Sequence, residues 1–170
     1  MSIAEVLLAD FDIEIANNRR TLERVPEDKA AYQPHEKSMR MGRLAKHCAT
    51  LPRFGYYIMA DEGMDLANPT RPQPDLAWRS REDCLRQLDQ AAEQCRAALA
   101  AASDERLRAV WPFRFGEQVL SQSPRLVIYR QLFFNHMVHH VAQLGVYLRL
   151  NGIPVPALYG PSADEQFVPR

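Results

Sequence analysis

The stretch PRLVIYRQLFFNHMVHHVAQLGVYLRL, residues 124–150, decides the fold that we predict for this chain. Apolar residues recur along it at helical spacing. Ser123 and Pro124 supply a cap and a proline at the first helical position. Gly152, with Pro154 beyond it, ends the pattern. The stretch therefore predicts the longest helix of the chain, over residues 124–150.

Upstream, the same periodicity predicts three more amphipathic helices, over residues 3–24, 39–60 and 81–102. The first opens with Ser2 and Glu5 at the spacing of a capping box. Ser38 is the expected cap of the second helix, and Ser80 that of the third. Pro52 lies inside the second helix and should kink it or divide it in two.

The segments between these helices are rich in proline and glycine. Residues 61–79 hold three prolines and a glycine, and we expect a long crossover without regular structure. Residues 104–122 fit either a short hairpin centred on Gly116 or an aromatic-rich loop. Four amphipathic helices in a single domain, residues 1–170, predict an all-α fold, a four-helix bundle with long crossover loops.

Charge and cysteine content exclude several classes of protein. Lysine plus arginine equals aspartate plus glutamate, 21 − 21 = 0, and no basic patch is visible, so neither nucleic acid nor an anionic membrane is an expected partner. No apolar stretch approaches the ~20 residues of a membrane span. The three cysteines form no CxxC pair. We therefore expect a cytoplasmic protein without disulfides.

The last helix carries the residues that point to chemistry. His136 and His140 are four residues apart, one helical turn, so both imidazoles can reach one metal ion at about 2.0–2.1 Å. Gln143 falls on the same face, and Tyr129 and Tyr147 lie on the same stripe. This spacing predicts two ligands of a metal site with polar neighbours.

A third ligand is expected from the second helix. His47 lies on its apolar face, beside Leu44 and Leu51, so it should point into the bundle. The alternative is that these histidines are core residues, hydrogen-bonded to backbone or water. His139 could replace His140 at the i, i+3 spacing, support the ligands, or lie on the surface.

The motif reads H-M-V-H-H, with Met137 where a zinc protease carries its glutamate, which disfavours proteolysis. Three imidazoles leave the coordination of the ion open. A thiol bound there would lose its proton, which suits thiol transfer, while hydrolysis by a metal-activated water stays an alternative. The protein's own cysteines are expected in the core.

The pattern resembles the DinB-like (DinB/YfiT-like) superfamily, which is unrelated to the DNA polymerase that shares the name. The resemblance extends over nearly the whole chain. The family commonly has His-Arg-Gly-Gln where this chain has His140-Val141-Ala142-Gln143, so the histidine and the glutamine are kept. The matching segments are Pro34 to Ser38, Leu44-Ala45-Lys46-His47, Asn135-His136, His139-His140, and the tail from Gly152-Ile153-Pro154 to Asp164-Glu165.

The resemblance implies an up-down-down-up bundle, often dimeric, with nickel or zinc held at the positions of His47, His136 and His140. It also implies a thiol-dependent enzyme that uses a low-molecular-weight thiol such as bacillithiol or mycothiol. We therefore expect a metal-dependent S-transferase or related detoxifying activity on a small-molecule substrate, with Gln143, Tyr129 and Tyr147 around the site. A metal-dependent hydrolase and a non-catalytic, stress-induced metal-binding bundle are the alternatives.

A homodimer is also expected from the residues themselves. The last predicted helix is apolar almost all round, since Val127, Phe133, Val138 and Val146 fall on different faces. Such a helix must be buried by more than one neighbour.

Overall fold

The computed structural model of the protein describes residues 1–166, and most of them are helical. The long helices are α1 (Ile3–Leu22), α2 (Met41–Ala60), α3 (Arg81–Ala100) and, after two short helices, α6 (Asn135–Leu150). The short ones are α4 (Asp104–Arg108) and α5 (Arg125–Ile128), with a 3-10 turn at Glu27–Lys29 and a π-helical segment at Tyr129–Phe134. The strands are β1 (Met64–Asp65), β2 (Val110–Phe115) and β3 (Gln118–Pro124).

The predicted starts of α1 and α3 are confirmed by their caps. The Glu5 amide donates to Ser2 Oγ at 3.2 Å and the Ser2 amide to Glu5 Oε2 at 2.6 Å, which completes the capping box. At α3, the Asp83 amide donates to Ser80 Oγ at 3.0 Å. These caps satisfy amides that the first helical turn leaves without partners.

The start of α2 was predicted wrongly. Its N-cap is Arg40 rather than Ser38, and no side chain caps it. Instead the Met41 amide donates to the carbonyl of Tyr32 at 2.8 Å, so the preceding loop folds back and supplies the acceptor.

Pro52 does not divide α2, which continues through it to Ala60. Fourteen of the twenty α2 residues are buried, and this packing holds the helix together across the missing amide.

A small sheet makes the prediction of an all-α fold wrong. β2 and β3 pair antiparallel around Gly116, whose φ of 58° suits glycine, so the hairpin alternative for residues 104–122 is correct. The crossover adds β1, which pairs parallel to β2 and gives the order β1-β2-β3. Asp65 accepts a hydrogen bond from the Gly116 amide at 2.8 Å and so joins β1 to the turn.

The predicted helix over residues 124–150 is not one continuous α-helix. Ser123 is paired in β3 with Trp111 rather than capping a helix, and Pro124 precedes α5. The π-helical segment Tyr129–Phe134 then separates α5 from α6. Its i→i+5 bonding puts more residues into a turn than an α-helix has. The side chains before the segment therefore lie at a different angle around the helix axis from the one that the periodicity of α6 would give them.

The long helices enclose one hydrophobic core. α2 packs against α3 and α6, and α1 packs against the same two helices. Cys48, Cys84 and Cys95 are buried in this core as free thiols, as predicted. An ion pair between Lys46 of α2 and Asp83 of α3, both almost fully buried, links the two helices.

The sheet, α4 and α5 meet the C-terminal end of α2. The buried Arg125 guanidinium donates to the carbonyls of Ile58 and Asp61. Trp111 Nε1 donates to the Asp61 carbonyl at 2.9 Å. These contacts anchor the chain that precedes the π-helical segment to α2. Within residues 1–166, none of the helices combines the length and apolar character that crossing a bilayer requires.

Candidate metal centre

Two helices bring three of the predicted residues together. His47 of α2 and His136 and His140 of α6 each direct a ring nitrogen into one cluster, with these atoms all within 4.8 Å of one another. The Nε2 atom of His136 lies 2.8 Å from Nε2 of His140 and 3.4 Å from Nε2 of His47. Two nitrogens that bind one ion at about 2.1 Å are themselves about 3.0–3.4 Å apart. The spacing therefore fits one shared ion after shifts of a few tenths of an ångström.

The outer ring nitrogens fix the tautomers. His140 Nδ1 lies 2.7 Å from Oε1 of Gln143, and His136 Nδ1 lies 3.2 Å from the carbonyl oxygen of Leu132. Both oxygens are acceptors only, so in each neutral ring the proton is on Nδ1. The Nε2 atoms of both rings therefore carry lone pairs and point into the cluster.

This arrangement argues against a pair of ordinary core histidines. Two neutral rings with protonated Nδ1 atoms cannot hydrogen-bond to each other through Nε2, because neither nitrogen has a proton to donate. These two Nε2 atoms nevertheless lie only 2.8 Å apart. A bound cation would accept both lone pairs, and outward Nδ1–H donation to an amide or carbonyl oxygen is the usual support of metal-binding histidines.

Burial favours the neutral form of His47 and His140. The pKa of His47 is lowered to about 4, mainly by burial and further by repulsion from His140, His136 and Arg43. Burial also lowers the pKa of His140, while the hydrogen bond to Gln143 acts in the opposite direction. Metal binding requires neutral imidazoles, so His47 and His140 are in the ligand form at neutral pH.

A cavity of about 280 Å³ opens beside His47 and His136. α2, the crossover with β1, β2 and the π-helical segment supply its walls. Its apolar lining residues are Leu51, Phe54, Met64, Leu66, Pro74, Phe113 and Leu132. Thr50, Arg53, Tyr57 and Gln73 add polar groups. The histidine cluster thus borders a mainly apolar space of ligand size.

The structure brings Gln143 to the cluster but packs both tyrosines elsewhere. Tyr129 is fully buried with its ring 5.0 Å from that of Phe133, since the π-helical segment rotates it off the histidine face. Tyr147 donates its hydroxyl to the Met39 carbonyl at 3.1 Å. It lies two turns beyond His140, about 10 Å along the helix.

His139 is exposed, with its ring 5.0 Å from that of His140, and it is not among the three clustered histidines. Sequence reasoning missed the cavity residues Arg53, Met64 and Phe113. Leu132 could have been found, since it precedes His136 by four residues. Met64 and Phe113 meet only because β1 pairs with β2, and no local sequence pattern predicts that pairing.

The fold and the site together define the class of protein. It is mostly helical and has a three-histidine cluster beside an apolar cavity. The sequence model of the DinB family matches residues 2–167, so the chain belongs to the DinB family. Among curated protein sequences, none matches it significantly.

Two solved structures share the fold. A DinB-like protein from Bacillus cereus is 18% identical, with a TM-score of 0.67 over 93% of this chain and 98% of that chain. The DinB-like protein YjoA of Bacillus subtilis is 19% identical, with a TM-score of 0.64 over 94% of this chain and 98% of that one. At these identities, the likeness extends to the fold alone.

Proposed function

We propose that this DinB family protein is a divalent-metal-dependent enzyme, with nickel or zinc held by His47, His136 and His140. The observation that carries the proposal is the 2.8 Å separation of the Nε2 atoms of His136 and His140, each on a ring whose Nδ1 faces an acceptor oxygen. Three imidazoles suit both metals. Gln143 and the Leu132 carbonyl hold the rings in the tautomer that binds a metal.

We propose thiol S-transfer as the reaction. A divalent ion held by three imidazoles supplies Lewis acidity, which favours the deprotonated form of a thiol. Burial raises the pKa of all three cysteines, that of Cys84 to about 12, so the chain's own sulfurs are poor nucleophiles. The sulfur must therefore come from a cosubstrate such as a low-molecular-weight thiol. The apolar cavity beside His47 would receive the small-molecule electrophile and exclude water from it.

The metal content of the untagged protein tests the site. We expect about one nickel or zinc per chain in the wild type by elemental mass spectrometry, and loss of it in His47→Ala and His140→Ala. His139→Ala is the matched control on the same helix and should keep the metal. A wild type that cannot be loaded with nickel or zinc would contradict the proposal and leave the histidines as core residues.

The reaction is tested on the loaded protein. Bacillithiol, mycothiol and glutathione are each assayed with 1-chloro-2,4-dinitrobenzene as the electrophile. We expect a rate above the uncatalysed reaction with at least one thiol, which is lost in His47→Ala. Release of chloride without any thiol would instead favour the hydrolase alternative.

We also propose the up-down-down-up order of the four long helices. Supporting contacts gather at one end of the protein, where Arg106, just after α3, donates to the carbonyl of Met59 near the end of α2. At the same end the Ile3 amide, at the start of α1, donates to Asp104 at 2.8 Å. This is the arrangement that parallel α2 and α3 and antiparallel α1 would produce.

A cytoplasmic homodimer is proposed as well. The free cysteines fit a reducing compartment. Val146 and Leu150 leave more than half of their surface exposed on α6, and such apolar side chains are available to a second copy. Sedimentation at micromolar concentration should give about twice 19.5 kDa, and a mass of one chain would contradict the dimer.

A further inference from the structure

The cavity beside the histidines contains one fixed charge. Apart from the histidines, Arg53 is the charged side chain among the described residues that line it. Its Nη2 donates to Oε1 of Gln87 at 3.1 Å, a neutral acceptor. Within residues 1–166, no carboxylate forms an ion pair with Arg53, whereas nearby Arg71 is paired with Asp61. The guanidinium of Arg53 therefore has no carboxylate counterion in the described part of the chain.

Most of the remaining lining is apolar and selects an apolar body. Leu51, Phe54 and Leu132 line the cavity together with His47 and His136. A cavity of about 150 Å³ lined by such side chains binds benzene. The cavity here is about 280 Å³, so two fused aromatic rings are a reasonable size for its ligand.

Charge and shape together define the ligand class. An apolar pocket gains affinity from buried area, and a few polar groups orient what it binds. A guanidinium pairs with a carboxylate through two parallel hydrogen bonds, which a neutral amide cannot reproduce. Arg43 is exposed one helical turn before His47, outside the lining of the cavity, and adds positive charge near the histidines. A cationic or a strongly polar ligand, such as a bare sugar, would gain little here.

We propose that the cavity binds an amphipathic carboxylic acid of about two aromatic rings, with its apolar body against Leu51, Phe54 and Leu132 and its carboxylate on Arg53. As an assignment of the electrophilic substrate, the inference rests on the proposed metal-dependent transfer. As a binding site, it does not need the metal, because every group it uses belongs to the chain.

The test is calorimetric titration of the metal-free protein with 2-naphthoate and with the neutral analogue 2-naphthamide. We expect 2-naphthoate to bind at least about tenfold more tightly than the amide. Arg53→Gln should abolish that preference, with the affinity for the amide unchanged. Arg53→Lys should keep part of it, since a point charge remains. Arg96→Gln removes an equal charge from a pair with Asp12 and should behave as wild type.

The inference would be overturned by equal affinity for acid and amide, by an Arg53→Gln variant with the wild-type preference, or by no binding of either probe. Thermal melts of each variant show that it is folded. A repeat on metal-loaded protein separates the two ideas. Tighter 2-naphthoate binding that needs the metal but not Arg53 would place the carboxylate on the ion and overturn the inference. Normal 2-naphthoate binding to a chain that takes up no metal would contradict the proposed function alone and leave the binding site as inferred.

Discussion

At the residue scale, the chemistry of the histidine cluster depends on where two protons sit. The amide oxygen of Gln143 faces Nδ1 of His140, and the carbonyl oxygen of Leu132 faces Nδ1 of His136. Each contact holds a proton on the outer nitrogen and leaves the inner one free to bind. One side-chain oxygen and one backbone oxygen thus leave the inner nitrogens of two neighbouring imidazoles free to bind a cation.

Replacing Gln143 tests this directly. Gln143→Leu removes the acceptor for His140 Nδ1–H, and we expect the affinity for zinc to fall by about 10–100-fold. Gln143→Glu keeps an acceptor and should retain or raise the affinity. Competition with a chromogenic chelator measures both. Gln94→Leu, at an exposed position of α3, is the control and should leave the affinity unchanged; an equal loss there would point to a general effect of the leucine.

At the scale of elements, the buried ion pair between Lys46 and Asp83 holds α2 against α3. The hydrogen bond from Lys46 is the main cause of the lowered pKa of Asp83. A carboxyl group whose pKa is depressed on folding stabilises the protein above its unfolded pKa, about 3.9, and loses that effect as the pH falls through the folded value. The stabilisation should thus be present at neutral pH and vanish in acid.

We expect Asp83→Asn to lower the free energy of unfolding by about 3–5 kcal/mol at pH 7, because it leaves the Lys46 charge buried without a counterion. The difference from wild type should shrink as the pH falls below about 4. Denaturant titrations across this pH range measure it. Asp12→Asn removes an exposed partner of Arg96 and should change the stability by less than about 1 kcal/mol. A pH-independent effect of Asp83→Asn would contradict the assignment.

The contact of α2 with the π-helical segment depends on Gly55. A Cβ atom there would come within 2.6 Å of the Phe133 ring and 2.8 Å of the Cys95 sulfur. We expect Gly55→Ala to destabilise the protein by about 1–3 kcal/mol, measured by thermal unfolding. Gly145→Ala is the matched control in α6, where the nearest atom is 3.7 Å away. It should stabilise by up to about 1 kcal/mol. Equal effects at both sites would contradict this reading of the contact.

The sequence predicts the elements whose signals are local. α1 and α3 start at their predicted residues because Ser2 and Ser80 cap them, and they end within two residues of the predicted bounds because their apolar faces repeat regularly. His136 and His140 lie on one face of α6 because regular helical spacing places residues four apart on the same side. The cap of α2 was misplaced because the Tyr32 carbonyl, nine residues before Met41, supplies the acceptor that Ser38 was expected to provide.

The parts that failed depend on tertiary contacts. β1 is two residues long and exists only because β2 lies beside it. The large rings of the π-helical segment pack against one another, and the helical periodicity of the sequence does not indicate this segment. This is why Tyr129 was expected near the histidines although its ring lies against Phe133 and Phe134. The candidate ligands were therefore predictable, whereas the cavity beside them was not.

At the scale of the whole molecule, a bound ion would join α2 to α6. A ligand that binds only the folded state stabilises it by mass action, about 2.7 kcal/mol at a hundredfold excess over its Kd. For 170 residues this corresponds to a rise in Tm of about 5–10 °C. Calorimetry with zinc and with a chelator should show it in wild type and in His139→Ala. A similar rise in His47→Ala would show that the metal binds elsewhere.

The short strand β1 also has a consequence for the speed at which the cavity fills. Met64 and Leu66 of the cavity wall lie in a crossover joined to the hairpin through a two-residue ladder, the adjacent hydrogen bond from Leu66 to Arg114, and the bond from the Gly116 amide to Asp65. Segments held by so few bonds open locally at a fraction of the free energy of global unfolding. Amide hydrogen exchange should therefore be much faster at residues 64–66 than in the buried turns of α2. A ligand of the proposed kind would then enter and leave on the timescale of that local opening, while the helices that carry the histidines stay folded.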